Sequence, residues 1–381
     1  MKYRVLSVGD PAPWVTLPTS THPSLRLDMA AGRYLLLCFF GSAGDQMAQA
    51  ALSAVRARRS LFDDARVSFF GFSLDRRDVE AGRIKDDIPG VRFFQDFAAT
   101  AATLFGAVSP EAQPAQGRIE MRPMWVVLDP MLRVIHVAAF DADPVASGNA
   151  VIDFIAALPP VSRHAGIEIP APVLVLPNVF EAEFCRTLIA LYEADGGTFS
   201  GFMDEVAGKT VVQESRDFKS RRDVHIEDRA LQLDAQKRVQ RRIVPEIKKV
   251  HQFDVTRVER YLVACYAAED GGHFNAHRDN TTKGTAHRRF AVSINLNDDF
   301  DGGEVMFPEY GPKRFKPPAG GAVVFSCSLL HMVAPVTRGR RYAFLPFLYD
   351  EAAAKVREAN NAHLGDGVAP YSAETGITAE R

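Results

Sequence analysis

The segment GGHFNAHRDN places His277 and Asp279 two residues apart, and His331 stands further along the chain after an apolar stretch. On a β-strand, residues i and i+2 project from the same face, so His277 and Asp279 can reach one ion together. His331 closes the run Ala322–Leu330, read as a strand, and a barrel can bring it beside the other two. Two imidazoles and one carboxylate on one face of a metal leave three coordination positions open, a ligand set suited to Fe(II) and dioxygen. Taken alone, the His-x-Asp pair reads more readily as a surface hydrogen bond beside a glycine turn than as a metal site.

A second feature narrows the chemistry. Downstream of His331, in HMVAPVTRGRRYAF, stands Arg341. A planar guanidinium binds a carboxylate bidentately and keeps its charge, which suits the far carboxylate of a dicarboxylate cosubstrate. Pro335 and Gly339 supply a turn that returns the chain antiparallel with Arg341 on the next strand, and Arg340 is the rival for that role. His273 shares strand parity with His277 but reads better as a surface residue. Cys327 shares the parity of His331 and reads as a buried, inert thiol.

These residues need a scaffold. A chain of 381 residues exceeds one ordinary core, and two domains are expected. Residues 1–157 alternate short apolar runs with helical stretches, the pattern of an α/β domain. Strands are expected at Tyr34–Phe40, Val67–Leu74, Met124–Leu128 and Val134–Val137, with helices at Gln46–Arg58 and Phe97–Phe105. The proline-rich stretch 158–172 reads as a linker. A strand at Val173–Leu176, a helix from near Glu181 and a helix-rich region over Glu227–Lys249 follow. From Val258 onward, short alternating strands punctuated by glycine and proline predict a barrel or jelly roll in the domain 173–350. Residues 351–381 read as one helix and a polar tail.

The run Tyr266–Tyr349 resembles the 2-oxoglutarate- and Fe(II)-dependent dioxygenases of the prolyl 4-hydroxylase-like group. The resemblance is carried by Tyr266, Gly271, Gly272, Phe274 and His277-x-Asp279, then Asn295-Leu296-Asn297, Gly302-Gly303-Glu304, and His331 with Arg341-Tyr342-Ala343. It extends back through PVLVLPNVFEAEFCRTLIALYE to about Val173. It implies a double-stranded β-helix, iron on His277, Asp279 and His331, and 2-oxoglutarate on Arg341 with a hydrogen bond from Tyr266. Asn295 would be a polar pocket residue, O2 the oxidant and ascorbate an aid to turnover. For Tyr266 a cross-strand aromatic is the plainer alternative. Halogenating relatives replace the carboxylate by a small residue, so the retained Asp279 favours hydroxylation of an unactivated C–H bond of an amino acid, peptide or small metabolite. A cupin-like isomerase or lyase without 2-oxoglutarate, and a non-catalytic sensing or carrier module, are the alternatives.

The first half resembles the redoxin branch of the thioredoxin-like fold, on VGDPAPWVTL, YLLLCFFGSA, FFGFSLD and RPMWVVLD. That family has a cis proline before the corresponding strand, which implies a cis bond at Pro123. Its chemistry requires a low-pKa cysteine at the start of the helix after FFGSA. Here that helix opens GDQMAQAAL, and Cys38 lies inside the preceding strand. A thiol peroxidase is therefore not expected; a scaffold, a surface docking a protein partner or substrate, or a homodimerisation module is.

A formal charge of −2 and 47% hydrophobic residues describe an ordinary globular chain. The excess of basic residues between Arg216 and Val250 has no interleaved aromatics and reads as solvated helix faces rather than a nucleic-acid surface. Neither a leader nor an apolar run of membrane-spanning length is seen, and four scattered cysteines suggest reduced thiols, so a cytoplasmic protein is expected.

Overall fold

A computed structural model describes residues 3–111 and 119–372, and its internal contacts divide the chain into two compact units. One comprises Met1–Pro170 with Pro308–Pro312; the other comprises Ala171–Phe307 with Lys313–Arg381.

In the first unit, the run YLLLCFFG forms the strand Tyr34–Gly41, buried along almost its whole length because both faces are covered. It pairs in parallel with Val67–Ser73, which pairs in parallel with Val91–Gln95, and on its other side antiparallel with Met124–Leu128, which leads to Val134–Ala139. Alternate residues serve opposite faces. Leu36, Cys38 and Phe40 join a core with the helices Gln46–Ala57 and Pro144–Ala156, while Phe39 contacts Phe72 and Phe105, the latter from the helix Thr100–Phe105. This sheet order with helices on both faces is a thioredoxin-like fold.

The strand Val91–Gln95 and the helix Pro144–Ala156 were not apparent in the sequence. The strand is short and follows Pro89-Gly90. The helix carries Gly148 and β-branched residues of poor propensity. Packing supplies what propensity lacks: Asp143 caps the helix, and Gly148 lets it approach so closely that a Cβ would sit 3.0 Å from Ala54 Cβ. The cis peptide expected at Pro123 is a correction: the cis bond is Ile88–Pro89. The Arg122 amide donates to Ala107 O and its guanidinium to Gly106 O, which ties the segment before Pro123 to the end of the helix Thr100–Phe105.

Asp45 caps the helix Gln46–Ala57 by accepting from the Met47 amide, in the turn where a reactive thiol would have to stand. Cys38 is buried, and burial pushes its thiol pKa well up. Hydrogen peroxide consumption is accordingly expected to be the same for the wild type and Cys38→Ser; loss of turnover in the variant would restore a thiol mechanism.

Two large antiparallel sheets, beside two short two-stranded ones, build the second unit among the described residues. The larger runs from Arg257–Glu259 through Phe347–Tyr349, Phe290–Asn295, Arg340–Phe344, Leu262–Ala267 and Arg222–His225 to Thr198–Phe199, and Ala322–Ser326 pairs with both Phe290–Asn295 and Leu174–Leu176. The smaller runs Lys219–Ser220, His273–His277, His331–Val333, Val305–Met306 and Arg314–Phe315. The strand Leu262–Ala267 shows how the layers form. Val263 and Cys265 pack on the helices Ala182–Asp195 and Arg229–Arg242, whereas Leu262, Ala264 and Tyr266 face Phe274 and Val333 of the smaller sheet. Two sheets facing each other, with helices behind one, make a jelly roll.

Arg238 and Arg242 of the helix Arg229–Arg242 pair with Glu181, and Lys248 pairs with Asp254, so local carboxylates meet part of the basic excess there. The helix Glu351–Ala359 is capped by Asp350; the end of the expected tail, 373–381, lies outside the described residues. Among the described residues no helix is long and apolar enough to cross a membrane.

Candidate metal centre

His277 ends the strand His273–His277, and antiparallel pairing sets it directly opposite His331, after an irregularity between Phe274 and His277. His331 opens a short strand of its own rather than closing Ala322–Leu330: the strand Ala322–Ser326 stops, a tight turn carries Cys327, and pairing resumes at His331. Asp279 likewise lies beyond its expected strand. Its amide donates to Cys327 O at 3.0 Å, so the turn, and not strand parity, aims the carboxylate between the two imidazoles.

The distances are those of a closed donor cluster. Asp279 Oδ1 lies 3.6 Å from His277 Nε2 and Oδ2 lies 3.3 Å from His331 Nε2, with one donor atom from each residue within 4.8 Å of the others. His277 Nδ1 lies 2.7 Å from Asn275 O and His331 Nδ1 lies 3.0 Å from Leu329 O. A carbonyl only accepts, so each Nδ1 carries the proton and each Nε2 keeps its lone pair free for a cation. Phe274 stacks on His277 at 3.6 Å, and Phe325 lies 4.6 Å from His331. Burial and then the neighbouring His277 hold the His331 pKa down at about 4, which keeps that imidazole neutral at physiological pH. Burial opposes ionisation of Asp279, but His331 and His277 outweigh it and hold the carboxyl well below its usual range. The cluster offers two imidazole nitrogens and one carboxylate to a divalent ion.

Arg341 is 1% exposed, whereas Arg340 points outward to Glu269. Its Nε donates to Asn295 Oδ1 at 3.0 Å and its Nη2 to Ser293 Oγ at 2.6 Å, while its Nη1 is buried without a partner. Asn295 Nδ2 donates to Pro317 O, which fixes the amide's orientation. The guanidinium is thus held on two edges, with one nitrogen left for an incoming acceptor. Such an orphan fits the distal carboxylate of 2-oxoglutarate. Asn295 is a support for the arginine. Tyr266 is buried with its ring 5.3 Å from the Arg341 guanidinium carbon, and its hydroxyl lies 3.4 Å from Arg221 Nη1, which donates to it.

His273 stands outside the cluster, near Gly271 O and Asp217 O. Cys327 is buried, and burial pushes its thiol well up. Ser293, which shares parity with Asn295, and the buried pair Arg221 and Asp223 were not apparent in the sequence.

The paired glycines have a local reason. Gly303 has φ +69°, and a Cβ there would lie 3.0 Å from Arg341 Cδ and 2.9 Å from Val336 Cγ2. Gly303→Ala is expected to cost about 1–3 kcal/mol through backbone strain, seen as a lowered Tm. It should also weaken 2-oxoglutarate binding by crowding the arginine; an unchanged affinity would show that Arg341 tolerates the contact.

Residues 261–349 match the family model described as the 2OG-Fe(II) oxygenase superfamily. Apart from Pro308–Pro312, the match lies within the second unit, and it takes in His277, Asp279, His331 and Arg341. Among curated proteins, the chain is similar to the PKHD-type hydroxylase PiuC of Pseudomonas aeruginosa, 38% identical over 91 residues that make up 22% of this chain and 39% of the relative. The chain thus spans about two fifths of the length of the curated relatives it matches. Among solved structures, a Trichoplax adhaerens prolyl hydroxylase in complex with a hypoxia-inducible-factor peptide aligns at 19% identity and a TM-score of 0.38, over 49% of this chain and 85% of that one. The peroxidoxin BcpB of Mycobacterium tuberculosis aligns at 19% identity and a TM-score of 0.35, over 41% of this chain and 99% of that one.

Proposed function

We propose that this chain is a 2-oxoglutarate- and Fe(II)-dependent dioxygenase that hydroxylates a C–H bond of an amino acid, peptide or small metabolite. The observation that carries this reading is the buried, unpartnered Nη1 of Arg341 in the same domain as the His277, Asp279 and His331 cluster. A metal-dependent isomerase or lyase needs no cation dedicated to a dicarboxylate cosubstrate.

In this reading His277 Nε2, His331 Nε2 and one Asp279 oxygen hold the iron, and Arg341 takes the distal carboxylate of 2-oxoglutarate. When bound, iron and 2-oxoglutarate supply the oxidation, in which one oxygen atom of O2 enters succinate as CO2 leaves and the other enters the substrate. The chain's own contribution is positional. Backbone carbonyls hold the imidazole tautomers, Ser293 and Asn295 hold the guanidinium, and Phe274 and Phe325 shield the imidazoles from water. The resemblance further suggests that ascorbate sustains turnover. The free, buried cysteines support a reducing compartment such as the cytoplasm. The first unit, without a thiol at the helix start, serves in this reading as a scaffold or docking module, for a protein partner or a second copy.

Anaerobic addition of Fe(II) and 2-oxoglutarate should produce a metal-to-ligand charge-transfer band. Absence of the band with the wild-type protein would sink the proposal.

A further inference from the structure

Asp279 lies past the end of its strand, so its aim depends on whatever holds the loop that carries it. The strand Ala322–Ser326 runs into a turn in which the Leu329 amide donates to Ser326 O at 3.0 Å and the Ser328 amide to Ser326 Oγ at 3.3 Å. Cys327, inside that turn, bonds on both sides. Its amide donates to Arg289 O at 2.9 Å, next to the start of the strand Phe290–Asn295, and its carbonyl accepts from the Asp279 amide at 3.0 Å. The loop with the carboxylate is thereby tied through one residue to the larger sheet.

The neighbours of Asp279 hold the next residue of the turn. Arg278 is 5% exposed and donates from Nη1 to Ser328 O, and Asn280 Nδ2 donates to Ser328 Oγ at 2.8 Å. Arg278, Asp279 and Asn280 thus all bond to the pair Cys327 and Ser328. The same turn presents Leu329 O to His331 Nδ1 at 3.0 Å. Asp279 and His331, whose donor atoms face each other at 3.3 Å, are therefore both registered against one turn, whereas His277 is oriented by Asn275 O of its own strand. A donor set already in place when the ion arrives spares the ordering that binding would otherwise demand, and groups outside the ligand set commonly orient ligands in this way. The Arg278 guanidinium is the stronger grip, being charged and buried; the Asn280 amide is neutral and its bond lies at the surface.

We propose that Arg278 and Asn280 are positioning residues of the metal centre. By gripping Ser328 from either side of Asp279, they hold that carboxylate at the separation from His331 at which both can reach one ion. The proposal rests on the reading of His277, Asp279 and His331 as iron ligands and adds to it two residues outside the ligand set.

The test titrates the full chain anaerobically with Fe(II) alone, bound metal being measured by equilibrium dialysis well below the melting temperature of each variant. Arg278→Gln should weaken Fe(II) binding by about 10–100-fold, with Arg278→Lys, which keeps a charged donor, falling between it and the wild type. Asn280→Ala and Ser328→Ala should each weaken it by about two- to tenfold. Those two substitutions remove the same bond, so the double variant should bind no more weakly than either single one, and Ser328→Thr, which keeps the hydroxyl, should recover affinity. A role confined to folding would lower the melting temperature but leave the affinity of the folded protein alone. Should Arg278→Gln fail to fold, as judged by circular dichroism, the Asn280 and Ser328 series decides. Wild-type affinity in the folded variants, additive losses in the double variant, or Ser328→Thr binding no better than Ser328→Ala would each overturn the proposal. A wild-type chain that binds no Fe(II) overturns the metal-centre reading itself, and so the two failures are distinguishable.

Discussion

Arg341→Met should weaken 2-oxoglutarate binding by about two to three orders of magnitude, because it removes one partner of a desolvated ion pair, a loss of about 2–5 kcal/mol. The substitution preserves much of the side chain's volume, so a collapsed cavity is not the expected cause. It does strand Ser293 Oγ and Asn295 Oδ1, which now accept from the guanidinium, and part of the loss will appear as lowered stability. The measurement is therefore a titration of the charge-transfer band with 2-oxoglutarate, alongside a melting curve. Iron binding should persist, since the donors are His277, Asp279 and His331 and not Arg341. Arg340→Met provides the contrast: that side chain is at the surface with Glu269, and its removal should leave the titration unchanged. Equal effects of the two substitutions would exclude Arg341 as the cosubstrate anchor.

His331→Ala is expected to abolish stoichiometric iron binding and to lower succinate formation by more than about a hundredfold. Loss of an outer hydrogen-bond partner of a metal ligand already costs about 10–100-fold, and loss of a ligand should exceed that. The effect on folding should be smaller and separable. His331 contributes one imidazole against Phe325 and Phe307, and its removal leaves Asp279 near His277 alone. Iron content after desalting, circular dichroism and the charge-transfer band together make the test. A variant that retains iron and the band would remove His331 from the ligand set. The double variant His277→Ala with His331→Ala should show no band at any iron concentration.

Much of this was legible in the residues because it depends on period and chemistry. Met124–Leu128 reads as a strand from its unbroken apolar run, and buried strands have such runs. The ligand trio was legible for a different reason: few side-chain combinations suit a divalent ion, and the His-x-Asp spacing with a downstream histidine is one. Arg340 stayed a rival to Arg341 in the sequence; the fold separates them, because neighbours on a strand take opposite faces and Arg341 takes the buried one. Less legible were elements whose stability comes from partners. The helix Pro144–Ala156 has poor propensity and forms against Gln46–Ala57, and Arg122–Pro123 is fixed by carbonyls from another part of its unit.

The sequence by itself determined the donor inventory and the two-unit plan: which residues could ligate, which cation could meet a dicarboxylate, and that no cysteine stands at the opening of the redoxin-like helix. Tertiary structure alone decided how the trio meets. Asp279 lies past the strand that was to aim it and is oriented by a hydrogen bond to Cys327 O, and His331 begins a strand instead of ending one. It also decided that Arg341 is held by Ser293 and Asn295, and that Arg221 is buried in a pair with Asp223. The physical reason is the same in each case. Spacing along a strand fixes which face a side chain takes, but hydrogen bonds across turns and between strands fix where that face points and which polar atoms are left without a partner.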